Sequence, residues 1–165
     1  MKKISTKTIA YLALGIALYV VLGMGLKIPL IGHIGTDLGY IAFGCFLYIF
    51  GVPAFLVGAV GCIIESLIIS GWFPYDWLPG QILIGIICGY VYTHSRVDGT
   101  KIFITIISVF LGIAIIKTGI ECIMFNIPIL VKFPKNFIAF IADTIPMLIG
   151  LYLGKRIKPI IGGNL

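Results

Sequence analysis

The sequence predicts an all-α integral membrane protein with six transmembrane helices, forming a single membrane domain over residues 1–165. Apolar residues make up 60% of the chain, charged residues only 11%, and the mean hydropathy is +1.16. Soluble domains carry about 25% charged residues. Lipid requires backbone polar groups to bond within helices or closed barrels, and the apolar runs lack the alternation of barrel strands. Helical spans of about 20 residues are therefore expected.

Six apolar runs follow one another, and each is predicted to form one helix. The predicted spans are 9–26, 36–51, 53–71, 78–93, 101–125 and 137–154. Pro53 separates the second from the third, because proline can begin a helix but is poorly tolerated inside one. The first run is longer than the apolar part of an ordinary signal peptide and no A-x-A cleavage site follows, so it is predicted to remain as a span.

The basic residues predict that both termini are cytoplasmic, because lysine and arginine favour the inner side of a membrane. This orientation leaves one basic residue, Lys117, within a membrane span, and it places most of the other eleven on the cytoplasmic side. The predicted inner residues are Lys2, Lys3, Lys7, Arg96, Lys101, Lys155, Arg156 and Lys158, and the outer ones are Lys27, Lys132 and Lys135. The net charge of +6 is thus explained by the span ends and does not indicate nucleic-acid binding.

The orientation places three loops outside, at 27–37, 72–79 and 126–136. It also places the costly polar groups of the spans in the outer half of the bilayer, where charges are usually functional. These groups, with those that border the membrane, are Asp37, Glu65, Asp76, Gln81, Lys117, Glu121 and Asp143. The inner half is predicted to contain almost no strongly polar side chain. A substrate cavity that opens outside and is sealed inside explains this asymmetry.

Simpler explanations exist for single residues. Lys117 and Glu121 are four residues apart on one helix face and could only neutralise each other. Glu65 could be a satisfied buried acid, and Asp37 could cap the N-terminus of its helix.

The stretch "SGWFPYDWLPGQ" (70–81) holds both tryptophans of the chain. Trp72, Tyr75 and Trp77 could anchor the turn at the membrane interface, or they could stack on a flat ring in the cavity. We predict that all three bind the substrate together with Asp76 and Gln81. Asn126, in the third external loop, completes the predicted substrate-binding set.

Catalysis is not expected from these residues. The sequence has no H-E-x-x-H, C-x-x-C or G-x-S-x-G motif, so no catalytic residue, metal ligand or cofactor is predicted. A small intramembrane enzyme using Glu65, Lys117 or Glu121 remains an alternative. A self-sufficient channel or transporter is another, although the polar path and the inverted repeat that such proteins use are not evident.

The combination resembles the substrate-binding S component of an energy-coupling factor (ECF) vitamin transporter. Ala13 and Ala17, in "ALGIA" of the first span, match the family's A-x-x-x-A motif. The segment 32–71 resembles its G-x-I-x-x-D…G…G-x-x-G block, with matching residues at Gly32, Asp37, Gly51, Gly58 and Gly61. The chain is most similar to the branch of riboflavin-, pyridoxine- and hydroxymethylpyrimidine-type S components.

The resemblance implies an ECF S-component-like bundle in a prokaryotic cytoplasmic membrane. Such a protein captures a vitamin outside, and a coupling membrane subunit with two cytoplasmic ATPases supplies the energy of import. Ala13 and Ala17 would contact the coupling subunit. The resemblance does not identify the vitamin. Acids outnumber bases around the expected site, which favours a neutral or cationic flat heteroaromatic ligand.

Overall fold

A computed structural model describes residues 5–25, 28–31 and 34–162 of the chain. The predicted motif residue Gly32 and the basic residues Lys2, Lys3 and Lys27 lie outside this part. The helices are α1 (Thr6–Gly25), α2 (Gly39–Phe50), α3 (Phe55–Ser70), α4 (Leu78–His94), α5 (Asp98–Val109), α6 (Thr118–Phe125) and α7 (Ile129–Gly162). The predominance of helix agrees with the predicted class.

Two short segments connect these helices. A single 3-10 turn, Val52–Ala54, joins α2 to α3 at the predicted proline break. A π-helical segment, Phe110–Lys117, joins α5 to α6, so 98–125 is one continuous helical run, as predicted for the fifth span. The wider turns of a π-helix are rare and are often found at functional sites.

Four helical runs of the described chain are long and apolar enough to cross a membrane. They are Thr6–Gly25, Val52–Ser70, Asp98–Phe125 and Ile129–Ile161. The other two predicted spans coincide with α2 and α4, which have 12 and 17 residues. Apolar side chains such as Ile68, Phe103 and Ile145 point outward from the bundle. The number of spans that cross the bilayer stays a prediction.

Helix α2 forms the centre of the bundle. Ten of its 12 residues are buried, and a helix that is apolar all round is typical of a buried position. Its backbone approaches α7 closely, because small residues face each other there. A Cβ added to Gly44 would lie 2.5 Å from the carbonyl oxygen of Met147, and one added to Gly154 would lie 2.7 Å from that of Cys45.

The loop predicted at 27–37 is partly a β-ribbon, which corrects the purely helical expectation. Strands β1 (Ile28–Ile31) and β2 (Ile34–Thr36) pair antiparallel, with Ile28 opposite Thr36 and Pro29 opposite Gly35. An extended segment must satisfy its backbone groups, and pairing with itself does this without a further strand.

The prediction of a loop at 126–136 is wrong for most of this segment. Helix α7 begins at Ile129, eight residues before the predicted start of the sixth span, and it includes Pro134. The side chains of Lys132 and Asn136 both bond to Glu121. These bonds require the two residues, which are four positions apart, to lie on one helical face.

The α2–α7 contact predicts that Gly44→Ala destabilises the protein, because the new methyl group overlaps a backbone carbonyl that cannot rotate away. Overpacking of this kind costs about 1–3 kcal/mol, so the melting temperature in detergent should fall clearly. Gly119→Ala is the matched control, since a Cβ at that helical glycine meets no atom within 4 Å. Equal melting temperatures of the two variants would contradict the close contact.

Candidate functional site

One end of the helix bundle contains a cavity of about 410 Å³. Helices α3 and α6 end there, and α2, α4 and α7 begin there or nearby. Ligand pockets have volumes of about 300–1,000 Å³, so the space suits a small molecule. Eight of the eleven predicted substrate-binding residues line it: Asp37, Glu65, Asp76, Trp77, Gln81, Lys117, Glu121 and Asp143.

Asp37 connects three elements on one side of the cavity. The hydroxyl of Tyr19 in α1 donates to Asp37 Oδ2 at 2.9 Å, and the backbone N–H of Gly39 donates to Oδ1 at 2.7 Å. The backbone N–H of Asp37 donates to Asp143 Oδ1 on α7 at 3.0 Å. Asp37 therefore bonds to the first residue of α2 and also lines the cavity, although the N-cap position of the helix is Leu38.

Glu65 lies beside Asp37. A Cβ added to Gly23 would lie 2.8 Å from both Asp37 Oδ1 and Glu65 Oε2, so these two oxygens are at most twice that distance apart. The glycine leaves room for both carboxylates against α1. Asp143 is also buried, and its bond to the Asp37 backbone brings a third carboxylate to this side. We call Asp37, Glu65 and Asp143 the acidic wall.

Lys117 organises the opposite side. Its Nζ donates to Glu121 Oε1 at 2.6 Å and to Asn136 Oδ1 at 3.2 Å, and it lies 3.3 Å from Asp76 Oδ2. Lys132 also reaches Glu121 Oε1, at 3.3 Å. The predicted Lys117–Glu121 pair is thus confirmed in geometry, but it belongs to a larger network that includes the turn before α4.

Asn136 completes this network and was missed from the sequence. Its Nδ2 donates to Glu121 Oε2 at 2.6 Å and to Thr118 Oγ1 at 3.0 Å. A loop prediction for 126–136 gives this residue no helical partners, whereas the structure places it in α7. The spacing of Lys132, Asn136 and Asp143, by four and then seven residues, is that of one helical face and could have identified it.

Trp77 lies beside the same lysine. The Lys117 Nζ is 4.6 Å from the ring centroid of Trp77, which is the distance of a favourable cation–π contact. Because Asp76 also pairs with Lys117, one ammonium group positions two successive residues of the turn. The half-buried Trp77 ring forms part of the cavity wall.

Gln81 lies deeper, one helical turn after Trp77. Its Nε2 donates to the hydroxyl of Tyr40 at 2.6 Å. Its Oε1 has no hydrogen-bond partner in the part of the chain that the structure describes, although the residue is only 2% exposed. An unpartnered buried acceptor costs about 1–3 kcal/mol.

Three predicted substrate-binding residues lie outside this cavity. Trp72 is 77% exposed and Tyr75 is 59% exposed, and both line a second, neighbouring cavity of about 560 Å³ at the surface. Asn126 is exposed and ends α6 with a φ of 51°, a left-handed conformation that asparagine tolerates better than most residues. This backbone conformation explains why an asparagine stands here, and no ligand contact is needed to explain it.

The opposite end of the bundle is less apolar than predicted. Lys101, predicted on the inner side at the start of the fifth span, lies in the first turn of α5 and is only 5% exposed. Its Nζ is 3.3 Å from the Tyr48 hydroxyl and 4.6 Å from the centre of that ring. An aromatic face and a hydroxyl thus accommodate the cation. Lys155 and Asp98 form an exposed ion pair at the same end.

The lining of the cavity is rich in charged and hydrogen-bonding side chains. Five carboxylates and two lysines, Lys117 and Lys135, are among its lining residues. Within the described residues, no group of three His, Cys, Asp or Glu side chains is placed to hold a metal ion. The arrangement offers one aromatic face, hydrogen-bond acceptors and an excess of negative charge.

The chain is similar to a described protein family and to individual known proteins. Residues 3–159 match the family described as "ECF-type riboflavin transporter, S component". Two strains of Streptococcus thermophilus have a UPF0397 protein that is 29% identical over 90 residues, which is 54% of this chain and 50% of the relative. The chain spans about half the length of these curated relatives.

Two solved structures share the fold. The crystal structure of FolT bound with folic acid has a TM-score of 0.73 at 22% identity, covering 94% of this chain and 96% of the other. The S component for biotin from an ECF-type ABC transporter has a TM-score of 0.64 at 17% identity, covering 96% and 94%. At these identities the likeness concerns the fold alone.

The Lys117 network predicts that Lys117→Met lowers the free energy of unfolding by about 1–3 kcal/mol, because Asp76 and Glu121 lose a charged partner while Glu121 keeps its bonds to Lys132 and Asn136. The double variant Lys117→Met/Glu121→Gln should lose less, since the remaining partner is then neutral. Thermal unfolding in detergent measures both. Lys155→Met, which removes an exposed pair, is the control and should change the melting temperature little. A double variant no more stable than the single one would contradict the coupling.

Proposed function

We propose that this chain, which belongs to the family of ECF-type riboflavin transporter S components, binds a vitamin or vitamin precursor. It then delivers this ligand to a separate import module. The main support for the proposal is the cavity of about 410 Å³, whose lining combines buried polar side chains with the Trp77 ring. The module consists of a coupling membrane subunit and two cytoplasmic ATPases, as the resemblance of the sequence implies.

The proposal includes a multi-pass position in the cell membrane, with six spans and both termini inside. Four apolar helical runs support it by their length and composition, and the basic end with Lys101, Lys155 and Lys158 lies opposite the cavity. Basic residues favour the cytoplasmic side. In this orientation the cavity faces outward.

The ligand is a small flat heteroaromatic molecule that is neutral or cationic. Trp77 supports a flat ring, because offset stacking of aromatic rings is favourable. The excess of carboxylates over lysines in the cavity disfavours an anionic ligand. FolT was solved with folic acid, which carries carboxylates, so the lining of this chain argues for a different vitamin.

The proposed docking surface for the coupling subunit is the outward face of α1. Ala13 and Ala17 are exposed on this helix, whereas Leu12, Gly15 and Tyr19 on its other face are buried in the bundle. Small residues four apart let a second helix approach closely. The A-x-x-x-A motif is therefore accessible to a partner.

We expect Ala13→Trp and Ala17→Trp to prevent assembly with the coupling subunit and to abolish uptake, while ligand affinity stays within about twofold. A bulky ring holds two helices apart, and it would lie on the exposed face of α1, whereas Tyr19, which lines the cavity, is on the buried face. Co-purification with the coupling subunit, uptake in cells that produce the whole module, and calorimetry of the isolated chain separate these effects.

Ile86→Trp is the matched control, since Ile86 is exposed on α4, a different helix. It should leave assembly and uptake intact. If the two alanine variants still assemble and transport, the docking surface is wrong, and uptake by the chain alone in liposomes would contradict the need for a module.

We expect Trp77→Leu to weaken ligand binding about tenfold or more, which corresponds to ~1.4 kcal/mol, because a stacking ring and its buried area are lost. Trp72→Leu should change the affinity much less, since Trp72 lies outside the cavity. Titration of tryptophan fluorescence, or calorimetry for the variants, measures the affinities. Equal losses in both variants would contradict this placement of the ring.

The same Trp77→Leu variant tests the orientation, because Trp72 is then the only tryptophan left. Iodide added outside right-side-out vesicles should quench its fluorescence. Quenching confined to inside-out vesicles would reverse the proposed topology.

A further inference from the structure

We propose that the end of the bundle opposite the cavity binds the headgroup of an anionic phospholipid, at two lysines that approach the Tyr48 ring. The site consists of Tyr48 near the end of α2, Lys101 in the first turn of α5 and Lys158 near the end of α7. We call these three residues the inner basic site. The inference goes beyond vitamin binding, and it uses only the proposed position of the chain in the membrane.

Both lysines of the inner basic site lie beside the same aromatic ring. The Lys101 Nζ is 4.6 Å from the centroid of the Tyr48 ring, and the Lys158 Nζ is 5.4 Å from it. The two ammonium groups therefore cannot be further apart than the sum of these two distances. Two positive charges at short range repel each other, and an anion bound beside them offsets this repulsion.

No carboxylate of the described residues pairs with either lysine. Lys101 is 5% exposed, as is Lys117 at the cavity. Lys117 has the Glu121 carboxylate as a partner, whereas Lys101 donates to the Tyr48 hydroxyl at 3.3 Å. Lys158 donates to the Tyr48 carbonyl oxygen at 3.2 Å. Buried charges in proteins are normally paired, so the inner basic site lacks a counter-ion that a bound anion can supply.

The acids of the chain are engaged elsewhere. The sequence has six, of which five line the cavity at the other end. The sixth, Asp98, pairs with Lys155 in an exposed ion pair. Arg96 and Arg156 add positive charge at the same end, and both are exposed. This end therefore carries an excess of positive charge that the side chains of the protein do not neutralise.

The two lysines also have hydrogen-bond donors left for a phosphate. An ammonium group has three N–H donors, and the described structure gives one hydrogen bond to each of the two. Lys158 is half-buried and so reaches the surface, where it contacts the phosphate, whereas the deeper Lys101 acts through its charge. Charge-assisted hydrogen bonds are about twice as strong as neutral ones.

The surroundings of the site favour a phospholipid over a free anion. Towards the middle of the bundle the same two helices expose apolar side chains, with Phe103 on α5 61% exposed and Leu153 on α7 39% exposed. Basic groups next to exposed apolar side chains match a phosphate next to acyl chains, and basic pockets between helices on the cytoplasmic side bind anionic headgroups. A headgroup with its own amine would bring a third cation to the site, so a headgroup without one is favoured.

Native mass spectrometry of the purified full-length chain tests the proposal. The chain in detergent receives equal amounts of phosphatidylglycerol and phosphatidylcholine with the same acyl chains. Both lipids have a phosphate, but only choline adds a compensating cation. We expect phosphatidylglycerol to be retained at least about fivefold over phosphatidylcholine, because one basic residue near an anionic lipid surface contributes a factor of this order. Equal retention of the two lipids would overturn the proposal.

Variants locate the lipid on the protein. Lys158→Gln and Lys101→Gln should each lower the preference for phosphatidylglycerol to below about twofold. Arg96→Gln is the matched control and should keep the preference, because it removes the same charge at the same end from a residue with no contact to Tyr48 in the described structure. An equal loss in Arg96→Gln would mean that total charge, and not this site, attracts the lipid. If Lys101→Gln does not fold, Lys158→Gln alone provides the test.

Thermal unfolding in detergent separates a lipid from other anions. Phosphatidylglycerol should raise the melting temperature more than phosphatidylcholine does, and this difference should disappear in Lys158→Gln. The same rise with inorganic phosphate would assign the site to a free anion. If Lys158→Gln instead prevents co-purification with the coupling module in the absence of anionic lipid, the site binds a protein and the lipid proposal is wrong. Vitamin affinity should not change in these variants, so failure of the lipid proposal leaves the vitamin-binding function standing.

Discussion

The contacts of the Lys117 ammonium are the interaction on which the arrangement of the site depends. An ammonium group at this depth is costly in lipid, so it requires acceptors. It obtains them from Glu121 four residues later, from Asp76 in the turn before α4, and from Asn136 on α7. Three separate segments are thereby drawn to one point. The position of the Trp77 ring follows from this, because the same ammonium lies over its face.

A second constraint acts through glycine. Where α2 and α7 meet at Gly44, their backbones come so close that a methyl group would not fit, and no space remains for a ligand. Around Asp37 and Glu65, by contrast, Gly23 makes room for carboxylates. Small residues thus allow α2 and α7 to pack backbone to backbone, while the polar groups line a cavity at one end of the bundle.

The two tryptophans, which the sequence presents as one cluster, have different environments. Trp77 belongs to the cavity wall, whereas Trp72 projects from the surface beside Tyr75. The structure thus separates the two rings: Trp77 has the position that the stacking interpretation requires, and Trp72 has that of a surface ring. The distinction depends on which side of the turn faces Lys117, and residues five positions apart in a turn carry no periodic signal that would reveal it. The buried Lys101 was similarly hidden, because its partner Tyr48 is distant in sequence.

The sequence by itself determined the apolar helices, the proline break at Pro53, the pair of Lys117 with Glu121 and all five acidic residues of the cavity. These features are local, since they depend on composition, on spacing along one helix and on the cost of charge in lipid. Only the tertiary structure decided that α7 begins at Ile129, that Asn136 belongs to the Lys117 network and that Asn126 does not line the cavity. Each of these depends on which side chains from distant segments meet, and such meetings are set by the packing of whole helices and leave no local pattern.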